Sequence, residues 1–554
     1  MRLRLLVVGS IVGCQSGSGR LPLASDFETR GASSDTALPV EDLLPAPYDP
    51  ASPGRLVRRA HLDVLGTLPS VEVVRAAEGD LEGALAAVFE SDGLEGGLVD
   101  FFDRAWSMRL DSQDFTPAEI ADADRVAWAA LVGEEPLRLA ARVVAGGEPW
   151  STVVTADWTM ATPELAALWP LELEAGTGWR RAGYTDGRPA GGIIFTNGFR
   201  WRFPSGPNNQ QRSRANALSR MFLCFDYLDL PVQFDRSVLG EAGDLTEATR
   251  TEPACVSCHQ TLDPIAAGLF GFLAFESYDL VEQSLYHSER EPMGPADMEV
   301  DYDWYGTPYA GAVELGAMFA SDPRFGSCAV ETVASTLWRR DVDGEVDAAE
   351  LERLEAVYVE SGGRLVSVMA EALRLPTWQA GQLQAGAAPA VEVSRARMLT
   401  SHQLSGAILE ATGYHWAVEG ADLLTTSERG FRAIAGGGDP GSFTAPADRP
   451  GVGHALVMDH VAWAAGWTAA AGDLTGEGPG LLTGASTETR PGDDTFESVL
   501  DALHLRLHGE LPSSVERDEV TALWQSVFDQ TSDPTTAWAA VVAALLRDPR
   551  FWTL

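Results

Sequence analysis

Leu503-His504-Leu505-Arg506-Leu507-His508-Gly509-Glu510-Leu511-Pro512-Ser513-Ser514-Val515-Glu516 reads as the end of one helix and the start of another. A serine cap followed by acid in the first turn satisfies free backbone N–H groups and complements the positive helix end. The same order of aliphatic helix, glycine or basic turn, cap and acidic amphipathic helix occurs twice more. One copy runs from Val57 through His61-Leu62-Asp63-Val64-Leu65-Gly66 to Ser70-Val71-Glu72. Another runs from Thr332 through Leu337-Trp338-Arg339-Arg340-Asp341 to Glu352. The second and third copies in chain order lead to similar endings, Leu375-Pro376-Thr377-Trp378 and Asp548-Pro549-Arg550-Phe551-Trp552. Units of about fifty residues, so few and so dispersed, do not make a solenoid.

The expected fold is therefore mainly α and multidomain, with little β structure. A chain of 554 residues exceeds one core and suggests roughly two to four domains. Pro/Gly-rich breaks at 186–192 and 381–389 divide it into a helical domain at 51–185, a central domain at 186–385 and a helical domain at 386–554.

An apolar fraction of 45% with 16 Trp suits packed domains. The net charge of −40 argues against nucleic acid, whose backbone needs clustered cations. All 40 cations are arginine, so Schiff-base lysines and phosphate-loop lysines are excluded. No Gly-x-Ser-x-Gly elbow appears, and a hydrolase is not supported. Acids at Asp341, Asp343, Asp347 and Glu350 do not fit an EF-hand loop and read as helix caps. The glycines at 436–438 read as a turn.

Met1-Arg2-Leu3-Arg4 and a short apolar run make a secretory signal at 1–14, too short to span a bilayer. Ile11-Val12-Gly13-Cys14 resembles a bacterial lipobox, making Cys14 the expected lipidation site. Gln15-Ser16 lacks an inner-membrane retention aspartate, so an outer-membrane lipoprotein, periplasmic or surface-facing, is expected. Residues 15–50 read as a flexible tether.

Cys255-Val256-Ser257-Cys258-His259 is the attachment signature of a c-type haem. The two thiols bond the haem covalently and His259 is one axial ligand to the iron. A zinc site is the competing reading, with Cys224 or Cys328 and another histidine completing four ligands. Met293, in a Pro/Gly loop 34 residues after His259, is the first candidate for the second axial position. Met298 and His287 are alternatives, an open or water-ligated iron is another, and Met318 reads as core. Leu269 to Phe275 could wall a porphyrin or be plain buried packing. Cys224 and Cys328 remain, as a disulfide or as two separate buried thiols.

The chain resembles the large exported cytochrome-c-like proteins of planctomycetes and myxobacteria, built from domain families of unknown function. The resemblance rests on Ala190-Gly191-Gly192, Arg220 to Cys224, Pro231, Cys255 to His259, and Asp263-Pro264. It continues through Glu276-Ser277-Tyr278-Asp279, Asp301 to Gly311, Phe325-Gly326-Ser327-Cys328 and Leu337-Trp338-Arg339. It covers 55–110 and 186–378, and more weakly 396–554. Ala266 stands where the family has glycine after Asp-Pro, the Asp263-to-Glu276 interval is longer than usual, and Trp338 replaces another glycine. The resemblance implies a c-type-haem domain flanked by helical domains and transfers no reaction.

Three functions follow from these residues. The first is a lipid-anchored mono-haem protein moving single electrons in the cell envelope to an unidentified redox partner. The second is a peroxidase-like redox enzyme with an open iron site. The third is an envelope scaffold or binding protein whose haem is structural.

Overall fold

The computed structural model describes residues 48–110, 117–121, 124–206, 208–230, 245–273, 280–383, 398–426, 430–437 and 450–554. Cys14 with its signal segment, most of the tether, Pro231, Gly438, Glu276 to Asp279 and residues 384–389 lie outside them.

Each of the three repeated segments folds as helix, left-handed turn, helix. In the first, Pro53–Ala60 continues through a π-helical turn, His61–Leu65, to Gly66 at φ 69°. The Ser70 hydroxyl then accepts from the Val73 N–H at 3.3 Å and starts Val71–Ala77. In the third, Asp494–His508 stops at Gly509, φ 76°, and Ser513 and Glu516 cap Ser514–Thr531 reciprocally. Such a capping box satisfies two otherwise orphaned N–H groups. The second departs from the pattern: Pro323–Trp338 turns at Arg339, φ 59°, before Ala348–Glu360. Asp347 there does not cap. Its carboxylate takes two hydrogen bonds from Arg340, at 2.7 and 2.6 Å.

With 60% helix and 6% strand, the protein is mainly α, and its strands serve as local clips. Tyr48–Pro50, at the end of the segment read as a tether, pairs antiparallel with Ala380–Leu383. Arg180–Tyr184 lies between Thr159–Ala161 and Leu171–Leu173, antiparallel to both. The hairpins Asp303–Trp304/Thr307–Pro308 and Ala417–Val418/Ala421–Asp422 are shorter still. Among the described residues, no helix is long and apolar enough to cross a membrane.

The larger apolar core draws on residues from Leu56 to Trp378, so the first helical segments and the region of the Cys-x-x-Cys-His motif share it. A second core runs from Met398 to Trp552 and also takes Leu62 and Leu68. The first segment thus contributes Leu56, Ala60 and Val64 to one core and Leu62 and Leu68 to the other.

Its two consecutive arginines fasten the endings of the other two segments. Arg59 donates to the carbonyls of Trp378 and Leu337 at 2.7 and 3.1 Å and stacks on the Trp378 ring. Arg58 donates to the Phe551 carbonyl at 2.6 Å. These carbonyls stand near helix ends, where intrahelical donors run out.

Candidate haem-attachment site

The motif lies on the helix Pro253–Ala267. Pro253 occupies the first turn, where its missing N–H costs nothing. The helix places Cys255, Cys258 and His259 at i, i+3 and i+4, and therefore on one face. Both thiols are free and half-buried. Burial, then the neighbouring Glu252 and Cys258, push the Cys255 thiol above its ordinary value.

The next residue of that face, one turn on, is Asp263. It is 1% exposed, and its Oδ1 lies 2.9 Å from His259 Nδ1. A carboxylate only accepts, so Nδ1 carries the proton, and in the neutral imidazole Nε2 then keeps its lone pair. Arg212 clamps the same carboxylate with both arms: Nε to Oδ1 at 2.7 Å and Nη2 to Oδ2 at 2.8 Å. Burial alone would raise the Asp263 pKa. The hydrogen bonds from Arg212 and His259 outweigh it and hold the group below the usual carboxylate range.

Arg212 owes its position to an unusual turn. Gln210 and Gln211 both sit in the left-handed region, at φ 50° and 68°, immediately before the helix Arg212–Leu223. Each such residue costs roughly 1–3 kcal/mol. Hydrogen bonds offset this: Arg212 Nη1 donates to Gln210 Oε1 at 2.9 Å, and the Gln211 N–H to Ser205 Oγ at 2.9 Å. At its other end this helix stops at Cys224, which is disulfide-bonded to Cys328 on Pro323–Trp338, with Cα atoms 5.2 Å apart.

Tyrosines also hold the motif helix. Tyr227 donates to Thr261 Oγ1 at 2.9 Å and lies 3.1 Å from the Tyr305 hydroxyl. Tyr309 donates to the Pro264 carbonyl at 2.8 Å. A proline in a helix interior disfavours the helical conformation of the residue before it. Here that residue is Asp263, fixed by two partners, and the helix runs through.

The candidates for the second axial position stand on three separate elements. Met293 is half-buried against the larger core and begins the short helix Met293–Met298. Gly294 beside it packs so closely on the Ala267 carbonyl that an added Cβ would come within 2.5 Å. Ala267 is eight residues beyond His259, roughly 12 Å along the axis. Met298 is 1% exposed, inside the core, and Met318 is half-buried against it. His287 donates from Nδ1 to the Glu289 carboxylate, 3.1 Å away, and its buried Nε2 has no hydrogen-bond partner. The Phe272 ring faces Phe195 and Tyr286 and carries the Arg200 guanidinium at 4.3 Å. That ring packs against protein groups.

Two free thiols on the face of an imidazole whose Nε2 lone pair is available are the donor set a covalently attached haem requires. The same residues suit zinc less well. Cys224 and Cys328 are bonded to each other and unavailable as ligands. Among the described residues, no three His, Cys, Asp or Glu side chains are grouped to hold a metal ion. The roles of Asp263 and Arg212 are not apparent from the motif, although the four-residue spacing of His259 and Asp263 carries the first of them. Compared with protein-family models, curated proteins and solved structures, the chain matches none.

Proposed function

We propose that this chain is an exported mono-haem c-type protein that carries single electrons in the cell envelope, of the kind it resembles in sequence. The observation that carries the reading is the common face of Cys255, Cys258 and His259, with Nδ1 engaged by Asp263. The thiols would add across the two vinyl groups of the haem and His259 Nε2 would bind the iron. The bound group supplies a one-electron couple whose potential follows ligand identity and burial. In this reading the region 186–385 is the haem-binding part, helical regions flank it, and acylated Cys14 anchors the protein at the outer membrane.

Protein made with haem-maturation machinery is expected to keep its haem after denaturation, seen by peroxidase staining of gels. The double variant Cys255→Ala, Cys258→Ala is expected to lose the stain entirely. Full staining of that variant, or none in the wild type, overturns the reading.

Met293 is the proposed second ligand, supported by its position at the start of a helix packed on the motif helix. Met293→Ala should then turn a low-spin spectrum high-spin and admit carbon monoxide, while Met298→Ala should change little. A wild type that is already high-spin and binds carbon monoxide rapidly removes Met293 from the site and favours catalysis over electron carriage.

A further inference from the structure

We infer that Asp263, aligned by Arg212, is the positioning residue that biases the haem iron toward its ferric state. The inference rests on the haem reading above and adds to it the direction in which this chain tunes the couple.

The geometry supplies the reason. Oδ1 of Asp263 receives two donors, His259 Nδ1 at 2.9 Å and Arg212 Nε at 2.7 Å, while Oδ2 is taken by Arg212 Nη2 at 2.8 Å. The carboxylate side chain is 2% exposed, so little solvent screens it. An imidazole that donates its distal N–H to an anion becomes a more basic ligand through its other nitrogen. A more basic ligand favours the iron state of higher charge. A backbone carbonyl or water at Nδ1 would carry no net charge and would bias the couple less.

Arg212 opposes this only in part. Its positive charge neutralises the pair at long range, yet the imidazole is bonded directly to the carboxylate, at 2.9 Å. Interaction energy falls with distance, so the anion dominates at His259. The bidentate fork also fixes the carboxylate's orientation, which a point-charge lysine would not do. The left-handed turn at Gln210 and Gln211 holds the fork in place.

A purely structural role would make Asp263 and Arg212 equivalent, because losing either breaks the same bond. The electronic role makes them opposite. Spectroelectrochemical titration of the full-length holo-protein separates the two. Asp263→Asn keeps the side chain's shape and removes its charge, and should raise the reduction potential. A tenfold change in the reduced-to-oxidised ratio at fixed applied potential corresponds to about 59 mV for one electron. Arg212→Gln leaves the anion less compensated and should move the potential the other way. If Asp263→Asn gives no holo-protein, Arg212→Gln decides alone: a lowered potential supports the inference, and an unchanged or raised one overturns it. An Asp263→Asn potential equal to or below that of the wild type also overturns it. Wild-type protein without covalent haem would fail the haem reading itself, whereas haem in all three proteins at one common potential fails only the role of Asp263.

Discussion

Asp63→Ala is expected to lower the unfolding free energy by about 3–5 kcal/mol, the range for stripping one member from a buried ion pair. Asp63 is 1% exposed and lies among three arginines, Arg59 one helical turn before it and Arg104 and Arg339 from farther along the chain. Arg339 bonds its Oδ1 directly, Arg59 Nε is 3.7 Å away and Arg104 Nη1 is 3.8 Å away. Arg104 also donates to the Asp63 backbone carbonyl at 2.7 Å. Burial first, and then the charge of Arg339, push the Arg59 guanidinium down to about 9, with Asp63 acting in the opposite direction. Removing that anion leaves three buried guanidinium groups near one another without the carboxylate they share. Because charge is the cause, Asp63→Asn should cost most of the same amount despite its equal size. Urea unfolding of the two variants measures this. A loss within about 0.5 kcal/mol, as at an ordinary surface position, would sink the argument.

Asp63 also shows what could be read from the sequence. Its segment was recognisable as a helical unit because caps, glycine turns and apolar spacing are local signals. Ser70, Gly66, Gly509 and the Ser513–Glu516 box all act locally in the folded chain. Asp347 departs because a partner seven residues away, Arg340, outcompetes the helix end for its carboxylate. The grip of Arg58 and Arg59 on carbonyls more than 250 residues away has no local signature at all. Nothing in an arginine pair says which backbone groups will lack donors after folding.

At the candidate site the same division holds. The motif gives Cys255, Cys258 and His259, and helical spacing alone brings them to one face. In the sequence Asp263 stands out only as half of an Asp-Pro pair, although it lies one helical turn from His259. Arg212 reaches it across 51 residues and depends on a left-handed Gln-Gln turn that composition does not announce. The sequence leaves Cys224 and Cys328 as a disulfide or two separate thiols, since thiol counts cannot measure the 5.2 Å between their Cα atoms.

Stability is expected to fall as pH drops from the unfolded histidine value of 6.5 toward about 4. Burial is the largest cause of a lowered pKa at His61, His402, His454, His504 and His508. His61 and His508 are pushed down to about 4. Below 6.5 the unfolded chain therefore takes up protons that the folded chain refuses. The number of protons bound is then greater in the unfolded state, so stability rises with pH across this window and is lost on acidification. Each excess proton contributes about 1.4 kcal/mol per pH unit. Three carboxylates act in the opposite sense. Burial raises Glu350 to about 7 and also raises Glu135 and Glu331, so their contribution is complete below 4.5 and fades as pH rises. The large shifts, at His61, His402 and His508 against Glu350, leave a net proton uptake on unfolding. Urea midpoints measured at neutral pH and near pH 5, at constant ionic strength, should show the lower value in acid. A midpoint that stays level or rises would mean that the buried histidines already carry protons in the folded protein, contrary to their burial.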